Sequence, residues 1–439
     1  MSLLDLPPEL FEHIIQEIVS VAGIQAAWQL RISPGTFASQ ISHEVLDKSS
    51  LATLSTADLA SFTEKNLGRI LYSRLKTYSD AAQPLLDKLE QMSDFLMQAV
   101  GSATISEQQD LLKRLCSAAA GFMGRHSVFV LLGALPPRFH GEFSKRLDAL
   151  NAPLGLAQKA AAAIAIQDQD LVRSLVPGLL GTTEWYSDLF GSPVGFAISQ
   201  SNADIVRIVL HCMIDSGLKK AKIPTTMASD CYSSASFDIS AMHYAITTDR
   251  PEALEAIEDF RKVYQMRTTK TAFGDLLSLA IRLGQVRSVK IVLSMNVPSC
   301  EKEKADNLKR AAMSKNPHIM RAIMMSPGMG VDKVYADISP LVAAVRSADV
   351  HMVRAVLQAG ADVNLRVGWA HEGKSPLEAA LEPGREVVAQ ALLDSGAEIP
   401  PRDKWSRPLT LKGKKYKGVL QVLENELCHR NCSGLDERP

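Results

Sequence analysis

Seven alanines, Ala163, Ala197, Ala245, Ala280, Ala311, Ala344 and Ala380, punctuate the second half of the chain at intervals of 34, 48, 35, 31, 33 and 36 residues. Eight residues after each begins an apolar stripe: Leu171-Val172-Arg173, Ile205-Val206-Arg207, Ala253-Leu254-Glu255, Ser288-Val289-Lys290, Ile319-Met320-Arg321, Met352-Val353-Arg354 and Val388-Ala389-Gln390. A period of this length narrows the folds open to the chain. Such repeats are single supersecondary units that cannot bury an apolar face alone and stack on their neighbours. The one long interval implies an insertion.

Each unit reads as two short helices. In the clearest copy Ser375 can place its hydroxyl on the free amides of the first turn, and Pro376 has no amide to leave unsatisfied. Gly396 supplies the left-handed residue that ends the second helix. Ser339-Pro340-Leu341 with Gly360, and Ser192-Pro193-Val194 with Gly217, repeat the plan, and His243 precedes Ala245 by two residues. This pattern resembles the ankyrin repeat, whose signature Thr-Pro-Leu-His-x-Ala recurs about every 33 residues. The copies at Ala163, Ala280 and Ala311 lack the Ser/Thr-Pro start. The resemblance implies an all-α solenoid of about seven helix-turn-helix units over residues 151–405, with a polar insertion at 218–239. Its concave side and hairpin tips would then bind other proteins.

At the other end, two prolines open a helix in which Leu10, Ile14 and Ile18 fall four apart, with Phe11, Ile15 and Val19 on the adjoining stripe. That is more apolar surface than one short helix hides within itself. A second helix through Ile24, Trp28 and Leu30 and a third through Ile41 and Val45 follow. Leu6-Pro7-Pro8-Glu9-Leu10, then Ile14 and Ile18, Leu30-Arg31 and Thr36-Phe37, together resemble an F-box over residues 3–46. That resemblance implies that Leu6, Pro7, Leu10, Ile14, Ile18, Leu30 and Phe37 dock on the Skp-type adaptor of a cullin-RING ubiquitin ligase. Ile32-Ser33-Pro34-Gly35 stands where the family carries a cysteine. The residues themselves leave a second reading open, a helical cap that buries Leu10, Ile14 and Ile18 against the array.

The domain reading is therefore an F-box-like segment at 1–50, a helical region at 51–150, the array at 151–405 and a basic tail at 406–439. In the helical region Ser55-Thr56-Ala57-Asp58 reads as a capping box for a helix carrying Leu67, Leu71, Leu75 and Tyr78. Leu85, Leu89, Met92, Phe95, Leu96, Leu111, Leu112 and Leu115 continue as core. Ser117 to Ala120 with Val128 to Leu132 reads as a degenerate repeat. In the tail, Lys412 to Lys417 precede a short amphipathic helix through Val419, Leu420, Val422 and Leu423 that closes the last repeat.

Lysine plus arginine number 48 and aspartate plus glutamate 48, so no global field favours a nucleic acid, a membrane or an acidic substrate. Six scattered cysteines suit a reducing compartment. The longest apolar run, Ala160 to Ile166, is too short to span a bilayer. The expected location is intracellular, cytoplasmic or nuclear or both.

Residues for chemistry are sparse. There is neither a phosphate loop nor a Gly-x-Ser-x-Gly elbow. Cys428, His429 and Cys432 are soft ligands without a second pair, and a frayed tail is expected around them. His211-Cys212 reads as a second-helix pair with a buried thiol, and His243 as a motif residue bonded to backbone. No catalytic residue, cofactor, metal or small molecule is expected. Partner contacts are expected at Tyr232 in the insertion and at Arg366 and Trp369 on a hairpin tip, where an exposed tryptophan beside arginine suits a binding hot spot. Equally, Trp369 can fold back onto its own repeat, and the insertion can be a bare loop.

These features point to a non-enzymatic adaptor that holds a Skp-type protein at its N-terminus and a client on its repeats. Two rivals remain: a nuclear co-regulator that binds a transcription factor and is imported by Lys412 to Lys417, and an enzyme using the insertion as a lid.

Overall fold

The computed structural model describes residues 6–32, 35–75, 83–101, 104–132, 150–179, 187, 190–215, 237–368, 373–381, 385–399 and 417–433. The described residues are helical apart from turns and three isolated β-bridges. Contacts divide the chain into two units, Met1–Tyr244 and Ala245–Pro439.

The first unit opens with α1 (Pro8–Ala22), α2 (Ile24–Gln29) and α3 (Gly35–His43), followed by a π-helical turn (Glu44–Lys48). Pro8 sits at the first helical position of α1, and Gly23 ends it with a positive φ of 81°. Phe11 and Ile15 form the buried stripe of α1. Phe11 meets the Phe37 ring edge-on at 6.0 Å, and Lys48 bridges Glu12 and Glu44.

Next come α4 (Leu51–Leu54), α5 (Ala60–Leu75), α6 (Gln83–Val100) and α7 (Ile105–Leu131). The capping box expected at Ser55 is not there. Ser50 caps α4 through the Thr53 amide at 3.0 Å, and Ser55 ends that helix. The Thr104–Glu107 pair forms a capping box instead, at the start of α7. Thr-x-x-Glu is the standard form of this cap. Ser117 to Leu132 spans a break in α7: at Gly124 φ is 75° and ψ 166°, so one helix ends there and a second, carrying Val128 to Leu131, begins. Within the unit α5 and α7 lie side by side. Buried Arg74 and Lys88, with Arg114, donate to the carbonyls of Ser49, Ala152 and Ile166, so each cation closes a backbone end that would otherwise lack a partner.

Helix pairs then follow: α8 (Leu156–Ile166) with α9 (Gln169–Leu179), and α10 (Pro193–Ser199) with α11 (Ala203–Asp215). The boundary between units falls inside α12 (Phe237–Thr247), which leads to α13 (Pro251–Val263). The second unit continues with α14 (Lys270–Arg282) and α15 (Val286–Ser294), α16 (Glu301–Met313) and α17 (Pro317–Met324), and α18 (Pro340–Arg346) and α19 (Val350–Gln358). It ends with α20 (Pro376–Ala380), α21 (Glu386–Asp394) and α22 (Lys417–Ser433).

All seven alanines lie in the first helix of a pair with no exposed surface. Nine residues on, Val172, Val206, Leu254, Val289, Met320, Val353 and Ala389 lie in the second helix, equally buried. The register is held by the turn. Gln167, Ser201, Asp249, Gly284, Lys315 and Ala348, each four residues past its alanine, all have positive φ. The left-handed residue lets an amide reach back to close the first helix, as Asp168 does to Ala163 at 3.1 Å and Gln285 to Ala280 at 3.1 Å.

Proline sets the length of the first helix. Ser192, Ser339 and Ser375 cap helices that start at Pro193, Pro340 and Pro376, and these run only 7, 7 and 5 residues. Where no proline stands at that place, α12, α14 and α16 reach 11, 13 and 13 residues. The added turns consume the connection: α16 follows α15 after residues 295–300, whereas α18 follows α17 after 325–339.

Candidate partner-binding surfaces

The α1 stripe adjoining Phe11 and Ile15 is only partly covered among the described residues. Leu10 is 55 % exposed and Val21 83 %, while Ile14 and Ile18 are half-buried along one side of a shallow apolar depression that His13 and Glu17 border. The capping alternative required Leu10 to be buried, and it is not. Leu6 and Phe37 are half-buried, Pro7 is exposed, and Leu30 is 44 % exposed. The expected docking residues thus fall into an outward set, Leu10, Ile14 and Ile18, which Val21 continues, and an inward one, since Phe37 packs on Phe11. Val21 was missed in the sequence, although it continues the stripe three residues after Ile18.

In the second unit, two adjoining clefts of about 320 and 290 Å³ open where the α15–α16 connection is short. Phe273, Val297, Ser299 and Asn307 line both. The Asn307 carboxamide oxygen accepts from Arg310 at 3.3 Å, which turns its amide nitrogen away from that arginine. Lys304 and the Tyr335 hydroxyl both donate to the Gly328 carbonyl at 3.1 Å and so fix the wall formed by residues 326–329. Burial, and secondarily the nearby Glu301 charge, raises the Tyr335 pKa from its ordinary value.

Arg366 does not stand free at its hairpin tip. Its guanidinium reaches both carboxylate oxygens of Glu378, at 3.1 and 3.2 Å, and Glu378 also accepts from the Ser375 amide at 2.9 Å. The arginine therefore ties its hairpin to the next helix start. Trp369 and Tyr232 lie outside the described residues, as do 216–236 and Lys412 to Tyr416.

Among the described residues no group of three or more His, Cys, Asp or Glu is placed to hold a metal, and no helix is long and apolar enough to cross a membrane. Cys428 and His429 belong to α22 rather than to a frayed tail. That helix packs on α21 through fully buried Val419 and Leu423, which is why it holds its shape. Cys212 is only half-buried.

Residues 308–403 match the family model for ankyrin repeats in three copies. This stretch is an ankyrin-repeat array. No curated protein matches the sequence. Among solved structures, the human ASB11 ankyrin repeat domain is similar at 20% identity and a TM-score of 0.37, over 54% of this chain and 97% of that one. The ankyrin repeat domain of Bcl-3, a member of the IkappaB family, is similar at 20% identity and a TM-score of 0.25, over 54% of this chain and 86% of that one. Ankyrin repeats imply a role in protein–protein interaction.

Proposed function

We propose that the chain is a non-enzymatic adaptor of a cullin-RING ubiquitin ligase. In this reading α1 docks on a Skp-type protein and the ankyrin repeats hold the client. The observation that carries the proposal is the apolar stripe Leu10, Ile14, Ile18 and Val21, exposed at Leu10 and Val21 and half-buried between them, on a helix whose adjoining stripe is already committed to its own three-helix cluster. Two apolar faces on one short helix suit a bridge between a folded body and a partner's groove. Tethering a client near a ubiquitin-loading enzyme raises the effective concentration of its lysines, and bound partners of this kind need no chemistry from the chain itself. The clefts lined by Phe273 and Asn307 are the proposed client contact.

The test is a pull-down of purified Skp-type adaptor with the full chain and with Leu10→Asp. Capture by the native chain and its loss in the variant are expected. Equal capture by both would remove α1 from the interface, and no capture by either at micromolar concentrations would end the ligase reading.

A further inference from the structure

The second helices of the array carry a charge pattern that changes along the chain. Seven and ten residues after each buried alanine, two side chains lie about one turn apart on the outer face. In α9 and α11 these are closed ion pairs, Asp170–Arg173 at 3.1 Å and Asp204–Arg207 at 3.0 Å. In α13 both are acidic, Glu252 and Glu255. In α15, α17 and α19 they become Arg287 and Lys290, His318 and Arg321, His351 and Arg354, all six exposed. Those three helices contain no aspartate or glutamate. Asp349, which caps α19, has its carboxylate engaged by the amides of His351 and Met352 at 2.9 and 3.3 Å.

Successive second helices pack on one another through this region. Lys290, Arg321 and Arg354 therefore form a column, one cation per repeat, and none of the three is in an ion pair among the described residues. Its ends are marked. On the α13 side Arg287 is matched by Glu252 at 2.5 Å, with Glu255 and Asp259 exposed beyond it. On the α21 side the equivalent positions are Val387 and Gln390, which carry no charge.

We propose that this column is a docking surface for a short acidic polypeptide segment. Packed helices lie about 8–10 Å apart, so three cations span roughly 20 Å, the reach of about six extended residues. A continuous polyanion fits less well, because a bilayer surface or a long nucleic acid would run on into Glu252, Glu255 and Asp259. No tryptophan, tyrosine or phenylalanine lies on α15, α17 or α19 to stack a base. The inference does not depend on the adaptor reading, since it rests on the charged outer faces of these helices and not on α1 or the clefts lined by Phe273 and Asn307.

Fluorescence anisotropy of a fluorescein-labelled octaglutamate peptide with the full chain tests it. Saturable binding is expected at 50 mM salt, weakened several-fold at 200 mM because exposed charges are screened. The triple variant Lys290→Gln, Arg321→Gln, Arg354→Gln, checked for unchanged helical circular dichroism, should bind at least tenfold more weakly. Arg173→Gln with Arg207→Gln should bind within twofold of native. Should the triple variant lose its helical signal, Lys290→Gln and Arg321→Gln taken singly must each weaken binding, or the proposal fails. Undiminished binding by the folded triple variant, or no binding by the native chain at millimolar peptide, overturns it. So does tighter binding of a short DNA duplex or of phosphatidylserine vesicles through the same three residues.

Discussion

Arg261 Nε lies 3.5 Å from Glu258 Oε2, one turn away on α13, and both residues are more than nine-tenths buried. Burial pushes the Glu258 carboxyl up from the ordinary 4.5 to about 6, although Lys262 offsets part of it, and burial lowers Arg261 to about 10. Because the folded chain holds this proton more tightly than the unfolded chain, ionised Glu258 destabilises the fold above pH 6, and the penalty fades between pH 6 and 4.5. It amounts to roughly 2 kcal/mol. Denaturant unfolding of the native chain and of Glu258→Gln, compared at pH 7.5 and 4.5, should show the difference between them move by about that much in favour of the native chain at the lower pH. A difference that does not change with pH would contradict this.

A methyl group built on Gly68 of α5 comes within 2.6 Å of the Ser117 Cα on α7. Backbone at that distance cannot give way as a flexible side chain can. Gly68→Ala should cost about 1–3 kcal/mol by forcing the helices apart. Thermal unfolding checks it, and an unchanged midpoint would contradict so close a crossing of α5 and α7.

The left-handed turn residues supply a pair of opposite changes. Ala348 holds a φ of 57° and Gly284 one of 74°. Ala348→Gly relieves a penalty of about 1–2 kcal/mol and gives part of it back in unfolded-chain entropy, for a net gain of about 0.5–1 kcal/mol. Gly284→Ala, with open space around the new methyl, should lose about 1 kcal/mol for conformational reasons alone. Urea midpoints should shift in opposite directions.

Much of this is legible in the sequence. The alanine register, the serine caps at 192, 339 and 375, and the glycine stops at 360 and 396 follow from local rules that act within a few residues. The first helices without proline were harder to bound. The starts of α14 and α16 do carry local marks, the Thr269 hydroxyl accepting from the Ala272 amide at 3.2 Å and the Glu303 carboxylate accepting from the Cys300 amide at 2.8 Å, but without a proline these are weaker signals than the serine–proline starts. Ser55 was misread for a related reason: Ser50 caps first, and a serine just after a one-turn helix is as apt to end it as to start another. Leu10 and Phe11 were both identifiable as apolar, but periodicity alone does not say which of two adjacent stripes faces inward. The ion pair that engages Arg366 was not visible at all, since its partner Glu378 lies on the next repeat.

The central claim is that the outward face of α1 is free to bind, and titration calorimetry of a Skp-type adaptor into the full chain and into Leu10→Asp tests it most directly. Because Leu10 is half in water, the variant should melt within about 0.5 kcal/mol of the native chain, as surface changes do. The account predicts micromolar or tighter binding by the native chain, with the negative heat-capacity change of apolar burial, and its loss in the variant. A variant that binds as tightly as the native chain, or one that no longer folds, would contradict it.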